Sequence, residues 1–162
     1  MPEPPPRERE AVRALLISPE REILLMRTAL PTLDDRTGWI TPGGGIAPRE
    51  DPLSGIRREL LEETGLSDPE IGPEVWTRRH SFRVRGQTWN QHERFFLVAC
   101  ERFEPSIDGM QERELEYFQT YRWWSIDGIE NSGELFAPRR MGRLLRELLR
   151  DGPPPAPIDT GV

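Results

Sequence analysis

Glu59, Glu62 and Glu63 place three carboxylates at i, i+3 and i+4 of a segment with helical periodicity. At about 100° per residue they fall within an arc of roughly 100°. That arc borders the apolar stripe of Leu53, Ile56 and Leu60, so the acids stand at the rim of a core rather than on the solvated side. Neighbouring carboxylates repel by about a few tenths of a kcal/mol per exposed pair, and by more when partly buried. A hard divalent cation removes that repulsion, and all-oxygen ligation suits Mg²⁺ or Mn²⁺. Arg58 would orient a carboxylate, and Glu50 would hold Arg58 by a charge-assisted pair. Gly43 to Gly45 would bring bare backbone groups beside the cation. Taken alone, a helix rich in Glu and Arg is ordinarily a solvated face, and a lone Gly-rich loop is equally uninformative. Their adjacency in one stretch carries the signal.

The elements that must position these residues follow from local pattern. Asp51 is suited to cap a helix, Pro52 to its first turn and Gly65 to the residue just past its end. Ala11 to Ile17 and Glu22 to Met26 read as strands around a turn at Ser18-Pro19-Glu20. Leu30 to Thr37 reads as a loop. Val75 to Val84 and Thr88 to Cys100 read as a hairpin turning at Arg85-Gly86-Gln87. Phe103 to Arg113 is irregular, and Glu114 to Tyr121 fits neither period cleanly. Arg122 to Ile126 reads as a strand that turns either Trp123 or Trp124 into the core. Pro138 to Arg150 forms an amphipathic helix with Met141, Leu144, Leu145, Leu148 and Leu149 on its apolar side. Strands, a helix, more strands and a final helix imply an α/β fold, a mixed sheet covered by helices.

The 162 residues suit one domain with one core. Pro-rich ends at residues 1–8 and 152–162 read as disordered or extended tails around a folded part at 9–151. Net charge is −6, and every basic residue is Arg. An acidic chain with no dense basic stripe is a poor ligand for nucleic acid, although local arginines would grip a small phosphate compound. The Arg-rich C-terminal helix has a strong apolar stripe, which favours a packed surface helix over a nucleic-acid-binding one. The single cysteine, Cys100, ends an apolar run and reads as a small buried residue. No apolar stretch reaches membrane-spanning length and no secretory pattern opens the chain, so a cytoplasmic location is expected.

The stretch Gly43 to Leu66 resembles the Nudix hydrolases, MutT-like proteins. Their pattern runs Gly, five residues, Glu, seven residues, then Arg-Glu-apolar-any-Glu-Glu-any-Gly-apolar. Gly44, Glu50, Arg58, Glu59, Leu60, Glu62, Glu63, Gly65 and Leu66 satisfy it without deviation. At average residue frequencies a chance match is on the order of one in ten million for a chain of this length. The resemblance implies an α/β/α sandwich around a mixed sheet and Mg²⁺-dependent (or Mn²⁺-dependent) cleavage of a diphosphate linkage. It implies Glu59, Glu62, Glu63 and the Gly43 carbonyl as metal ligands, with Glu59 closest to the role of base. Arg58 and Glu50 would be the supporting pair, and Glu112, Glu114 or Glu116 an additional ligand or base from outside the motif. The substrate would be a small nucleotide: a nucleoside triphosphate, ADP-ribose or a nucleotide sugar. Landmarks associated with ADP-ribose, diadenosine polyphosphates or coenzyme A are absent around Phe82 to Val84 and upstream of the motif. Arg27 would meet a phosphate and Trp39 would stack on a base, while Arg78, His80 and Gln91 would converge across the hairpin. Dimers are common among such proteins. A binding or sensor module without turnover is the rival reading, and the complete set of glutamates argues against it.

Overall fold

The computed structural model describes residues 1–29 and 36–162, so most of the loop expected at Leu30 to Thr37 lies outside the described residues. The strands are β1 (Arg7–Ile17), β2 (Glu22–Ala29), β3 (Thr37–Ile40), β4 (Gly43–Gly45), β5 (Glu74–Val84), β6 (Gln87–Ala99), β7 (Phe118–Ser125), β8 (Phe136–Ala137) and β9 (Ile158–Asp159). The helices are α1 (Pro52–Thr64), α2 (Glu112–Leu115), α3 (Ile126–Glu130) and α4 (Met141–Asp151). All strands join one mixed sheet in the order β8-β3-β2-β1-β6-β5-β9, with β4 on β1 and β7 on β2.

Strand β1 sends its odd and even residues to opposite faces. Leu15 and Ile17 enter a core with Val75, Trp76, Phe95, Trp124 and the α4 residues Met141, Leu144, Leu145 and Leu148. Val12, Ala14 and Leu16 enter a second core beneath Ile56 and Leu60 of α1. Helices therefore cover both faces of a mixed sheet, an α/β/α sandwich. No described helix is long and apolar enough to cross a membrane.

The expected helix caps are present: the Asp51 carboxylate accepts from Ser54 N at 3.0 Å, and Gly65 ends α1 in the left-handed region. Leu53, expected in the core, is 42% exposed; the helix buries only Ile56 and Leu60 of that stripe. The tryptophan pair divides as expected, with Trp124 in the α4-side core and Trp123 packed against the α1-side core. The ambiguous stretch resolves into the short α2 followed by β7. Cys100 lies just past β6, half-buried, with burial pushing its thiol up to about 11.

The ends, expected as disordered or extended tails at 1–8 and 152–162, contain extended segments that pair into the sheet. Arg7 and Glu8 extend β1, paired in parallel with Trp89 and Asn90 of β6. At the other end β9 pairs with Trp76 and Thr77 of β5, and Thr160 is buried. An extended Pro-rich chain still offers backbone groups between its prolines, and here they complete an open sheet edge. Thr160 N donates to Thr77 O at 2.9 Å, Arg139 N to Val162 O at 3.1 Å and the Arg140 guanidinium to Thr160 O at 3.4 Å. At about 1 kcal/mol net per hydrogen bond, and setting aside the long 3.4 Å contact, deleting residues 153–162 is expected to cost about 2 kcal/mol. For a chain of this size that lowers the melting midpoint by about 5 °C, measurable by thermal denaturation. An unchanged midpoint would mean that the tail is not docked.

Candidate active site

Between β1 and β2 the sheet opens. The two strands meet only at Ile17 and Ile23. Nearer its start, β1 pairs instead with β4, Arg13 opposite Gly43 and Ala11 opposite Gly45. The gap forms a cleft of about 850 Å³. One wall carries Gly43, Gly44, Glu63 and Glu114; another carries the inward residues of β1, β5 and β6.

Two glycines allow the helix to approach this wall. Gly43 has φ +145, and a Cβ there would lie 2.0 Å from Val12 O. A Cβ on Gly44 would lie 2.8 Å from a Glu59 carboxylate oxygen. Any larger residue at 44 would displace the Glu59 carboxylate from its place beside the loop.

Ligand atoms of Glu59, Glu63 and Glu114 all lie within 4.8 Å of one another. Glu59 and Glu63 are 5% and 4% exposed. Gly43 N donates to Glu63 Oε2 at 2.8 Å, which fixes one end of that carboxylate. Glu59 Oε2 is buried with no hydrogen-bond partner among the described residues. An orphaned carboxylate oxygen beside two further carboxylates is costly unless a cation or ordered water meets it. Three hard oxygen donors suit Mg²⁺ or Mn²⁺, so the residues present fit the ion that the motif implies.

Electrostatics agree with that fit. Burial, reinforced by Glu59, raises the Glu63 carboxyl well above its ordinary range. Burial also raises Glu59, and Arg58 partly offsets it. Tyr121 of β7 donates its hydroxyl to the backbone carbonyl of Glu63, tying the end of α1 to the sheet.

The motif's other residues occupy distinct places. Arg58 donates to both oxygens of Glu50, at 2.8 and 3.0 Å, and to Gly45 O at 3.2 Å. It also reaches Glu59 at 3.0 Å and Glu62 at 3.3 Å. Glu62, expected beside the cation, is held toward Arg58 and stands outside the cluster of three. Glu114 stands in that cluster, whereas Glu112 and Glu116 are exposed on α2 and its cap. The Gly43 carbonyl accepts from Arg13 at 3.3 Å.

The proposed substrate contacts separate. Arg78, His80 and Gln91 converge on the cleft as the hairpin register implies, His80 opposite Gln91 and Arg78 opposite Glu93. Trp39 does not reach it. The residue is 4% exposed and packs edge-on against Trp124 at 5.1 Å, in the core that Phe136 and the α4 residues Met141 and Leu145 complete. Arg27 also turns away: Met26 and Thr28 line the cleft, while Arg27 lies 3.6 Å from Glu134 on the opposite face. The absence of a basic groove, expected from net charge, is not what the structure has. Arg7, Arg9, Arg13, Arg78, Arg85 and Arg113 all line the cleft, against Glu63, Glu93 and Glu114. The first three alternate along β1, a period-two signal visible in the sequence once that strand is extended to Arg7.

Comparison with known proteins agrees with the motif. Residues 7–148 match the NUDIX domain family. A protein named RNA pyrophosphohydrolase from a Sulfurovum species is 29% identical over 125 residues, covering 74% of this chain and 78% of that one. Nudix hydrolase 26, chloroplastic, from Arabidopsis thaliana is 31% identical over 154 residues, covering 85% of this chain and 68% of its own. Among solved structures, the MutT protein of Methanosarcina mazei superposes with a TM-score of 0.66 at 21% identity, covering 90% of this chain and 98% of that chain. That likeness speaks for the fold alone.

The raised carboxyls give a signed pH prediction. Glu59 and Glu63 hold protons more tightly folded than unfolded, so stability falls as pH rises from the unfolded value of 4.5 toward their raised folded values. Without divalent cations the protein is expected to melt higher at pH 5.5 than at pH 7.5. Mg²⁺ at about 100 times its dissociation constant would add about 2.7 kcal/mol at pH 7.5. Glu63→Gln keeps an oxygen for Gly43 N but no charge, so it should raise the metal-free midpoint and abolish most of the Mg²⁺ effect. Thermal melts across pH, with and without EDTA, check all three.

Proposed function

The chain belongs to the Nudix hydrolases, and on that footing we propose that it hydrolyses the diphosphate linkage of a nucleotide with Mg²⁺ or Mn²⁺, water attacking at phosphorus. The observation that carries this reading is the trio of Glu59, Glu63 and Glu114, of which Glu63 and Glu114 line an arginine-rich cleft. A divalent cation bound there supplies positive charge at the diphosphate oxygens and acidity to a water.

The chain's own residues would do the rest. Glu59, whose Oε2 is buried without a partner among the described residues, takes the proton from the attacking water. Glu63 is held by Gly43 N and is the least free of the three to move. Arg58, clamped by Glu50 and Gly45 O, keeps the Glu59 carboxylate at its end of the cluster. Arginines across the cleft offset charge on the phosphates as the bridging P–O bond breaks. The products are two phosphorylated fragments.

The substrates that fit are nucleoside triphosphates, ADP-ribose and nucleotide sugars. The name of the Sulfurovum relative, RNA pyrophosphohydrolase, adds RNA as a substrate class, and six cleft arginines make room for that reading despite the net charge of −6. Purified protein incubated with Mg²⁺ and each of these classes is expected to release phosphate or pyrophosphate from one of them. Glu59→Gln should lower the rate about 100-fold or more, and EDTA should abolish it. Silence across the panel from folded protein would favour a binding module without turnover.

A further inference from the structure

We infer that Glu93 is a positioning residue that aligns Arg13 and Arg78, with Arg9 beside them, into an anion subsite apart from the acidic trio. The subsite would hold the substrate phosphate that is not under attack. The inference rests on the hydrolase reading above for its substrate, but not for its geometry.

Glu93 is 3% exposed. Its Oε2 accepts from Arg13 Nε at 2.6 Å; its Oε1 accepts from Arg78 Nη1 at 2.5 Å and lies 3.0 Å from His80 Nε2. Burial alone would raise this carboxyl, yet the cations led by Arg13 hold it far below the usual range. Glu93 is thus committed to orienting its partners and has no oxygen left for a metal or a proton. Arg13 also donates to Thr41 O at 3.2 Å and Gly43 O at 3.3 Å, which links the cluster to the glycine loop beside the trio. Arg9 comes from the same face of β1, its guanidinium against Gly45.

Two features point to a ligand rather than to a structural ion cluster. Arg78 Nε, His80 Nδ1, Thr41 Oγ1 and Gln91 Oε1 are buried without partners among the described residues, and all four side chains line this cleft. Three guanidiniums also meet a single carboxylate within the cluster, Glu93, and the next carboxylates acting on Arg9 and Arg13 are Glu59 and Glu63 of the acidic trio, which a divalent cation would neutralise. Purely structural burial favours apolar side chains over ions. One step along the same faces of β1, β5 and β6 the sheet does bury Leu15, Trp76 and Phe95. The switch from apolar to cationic occurs where the face becomes the cleft floor. Guanidinium forks held in fixed orientation match phosphate oxygens.

The test is metal-free, so it reads the subsite without the trio. Inorganic pyrophosphate and inorganic phosphate are titrated calorimetrically into the full chain in EDTA. Pyrophosphate is expected to bind, more tightly than phosphate, and to compete with the substrate once one is known. Arg9→Met, at an exposed position, should weaken it about tenfold. Glu93→Gln removes a negative charge, so simple charge counting predicts tighter binding; loss of alignment predicts binding weakened about tenfold. Tighter or unchanged binding in a folded Glu93→Gln protein would overturn the inference, and so would no binding of either anion by the parent protein. If Glu93→Gln does not fold, Arg9→Met and Arg78→Lys decide: unchanged affinity in both overturns it. Under turnover, Arg9→Met should raise KM by a larger factor than it lowers kcat, which a merely structural role would not do. Pyrophosphate binding without turnover on any nucleotide would sink the hydrolysis reading and leave the subsite standing.

Discussion

Glu59 and Glu63 are buried side by side against a glycine loop with too little positive charge to satisfy them. Much of the surrounding structure can be understood as the cost of holding them there. Gly43 and Gly44 carry no side chains because the carboxylates and β1 already occupy that space. The Arg58–Glu50 clamp fixes one end of α1, and the Tyr121 hydroxyl fixes the other through Glu63 O. A core of Ile56 and Leu60 against Val12, Ala14 and Leu16 supplies the apolar burial that offsets the repulsion.

Charge of opposite sign is then laid out across the cleft. Arg13 stands between the two regions, bonded to Glu93 on one side and to the Gly43 carbonyl on the other. That arrangement suits a polyanion that meets cationic side chains at one point and a divalent cation at another. A chain with net charge −6 can therefore present an arginine-lined site, because the sheet segregates the charges that composition averages.

The motif residues were legible because they lie in one helix and one loop. Spacing alone puts Glu59 and Glu63 on a common face, and the caps at Asp51 and Gly65 are local chemistry. The division between Glu62 and Glu63 was not legible, since it depends on which acid Arg58 reaches. Glu114 could be narrowed only to a set with Glu112 and Glu116, because the placement of the short α2 that brings Glu114 to Glu59 and Glu63 is tertiary. Trp39 was misplaced for a similar reason: a strand residue faces core or cleft according to what covers it, and Phe136 with Trp124 lies far off in sequence. The alternation of Arg7, Arg9 and Arg13 was present in the sequence but obscured by the proline-rich start, which reads as a tail ahead of a strand at Ala11. The parallel pairing of β1 with β6 that brings Glu93 to Arg13 spans 80 residues and leaves no local mark.

Glu59, Glu63 and Glu114 together would hold a divalent cation. Anomalous scattering from crystals soaked in Mn²⁺ tests that binding most directly, because it locates the ion without relying on a substrate. A strong peak is expected within about 2.0–2.5 Å of carboxylate oxygens from all three residues, lost in Glu63→Gln crystals. Ordered crystals with no peak there, or with a peak held by Glu62 while Glu59 and Glu63 remain unengaged, would contradict it.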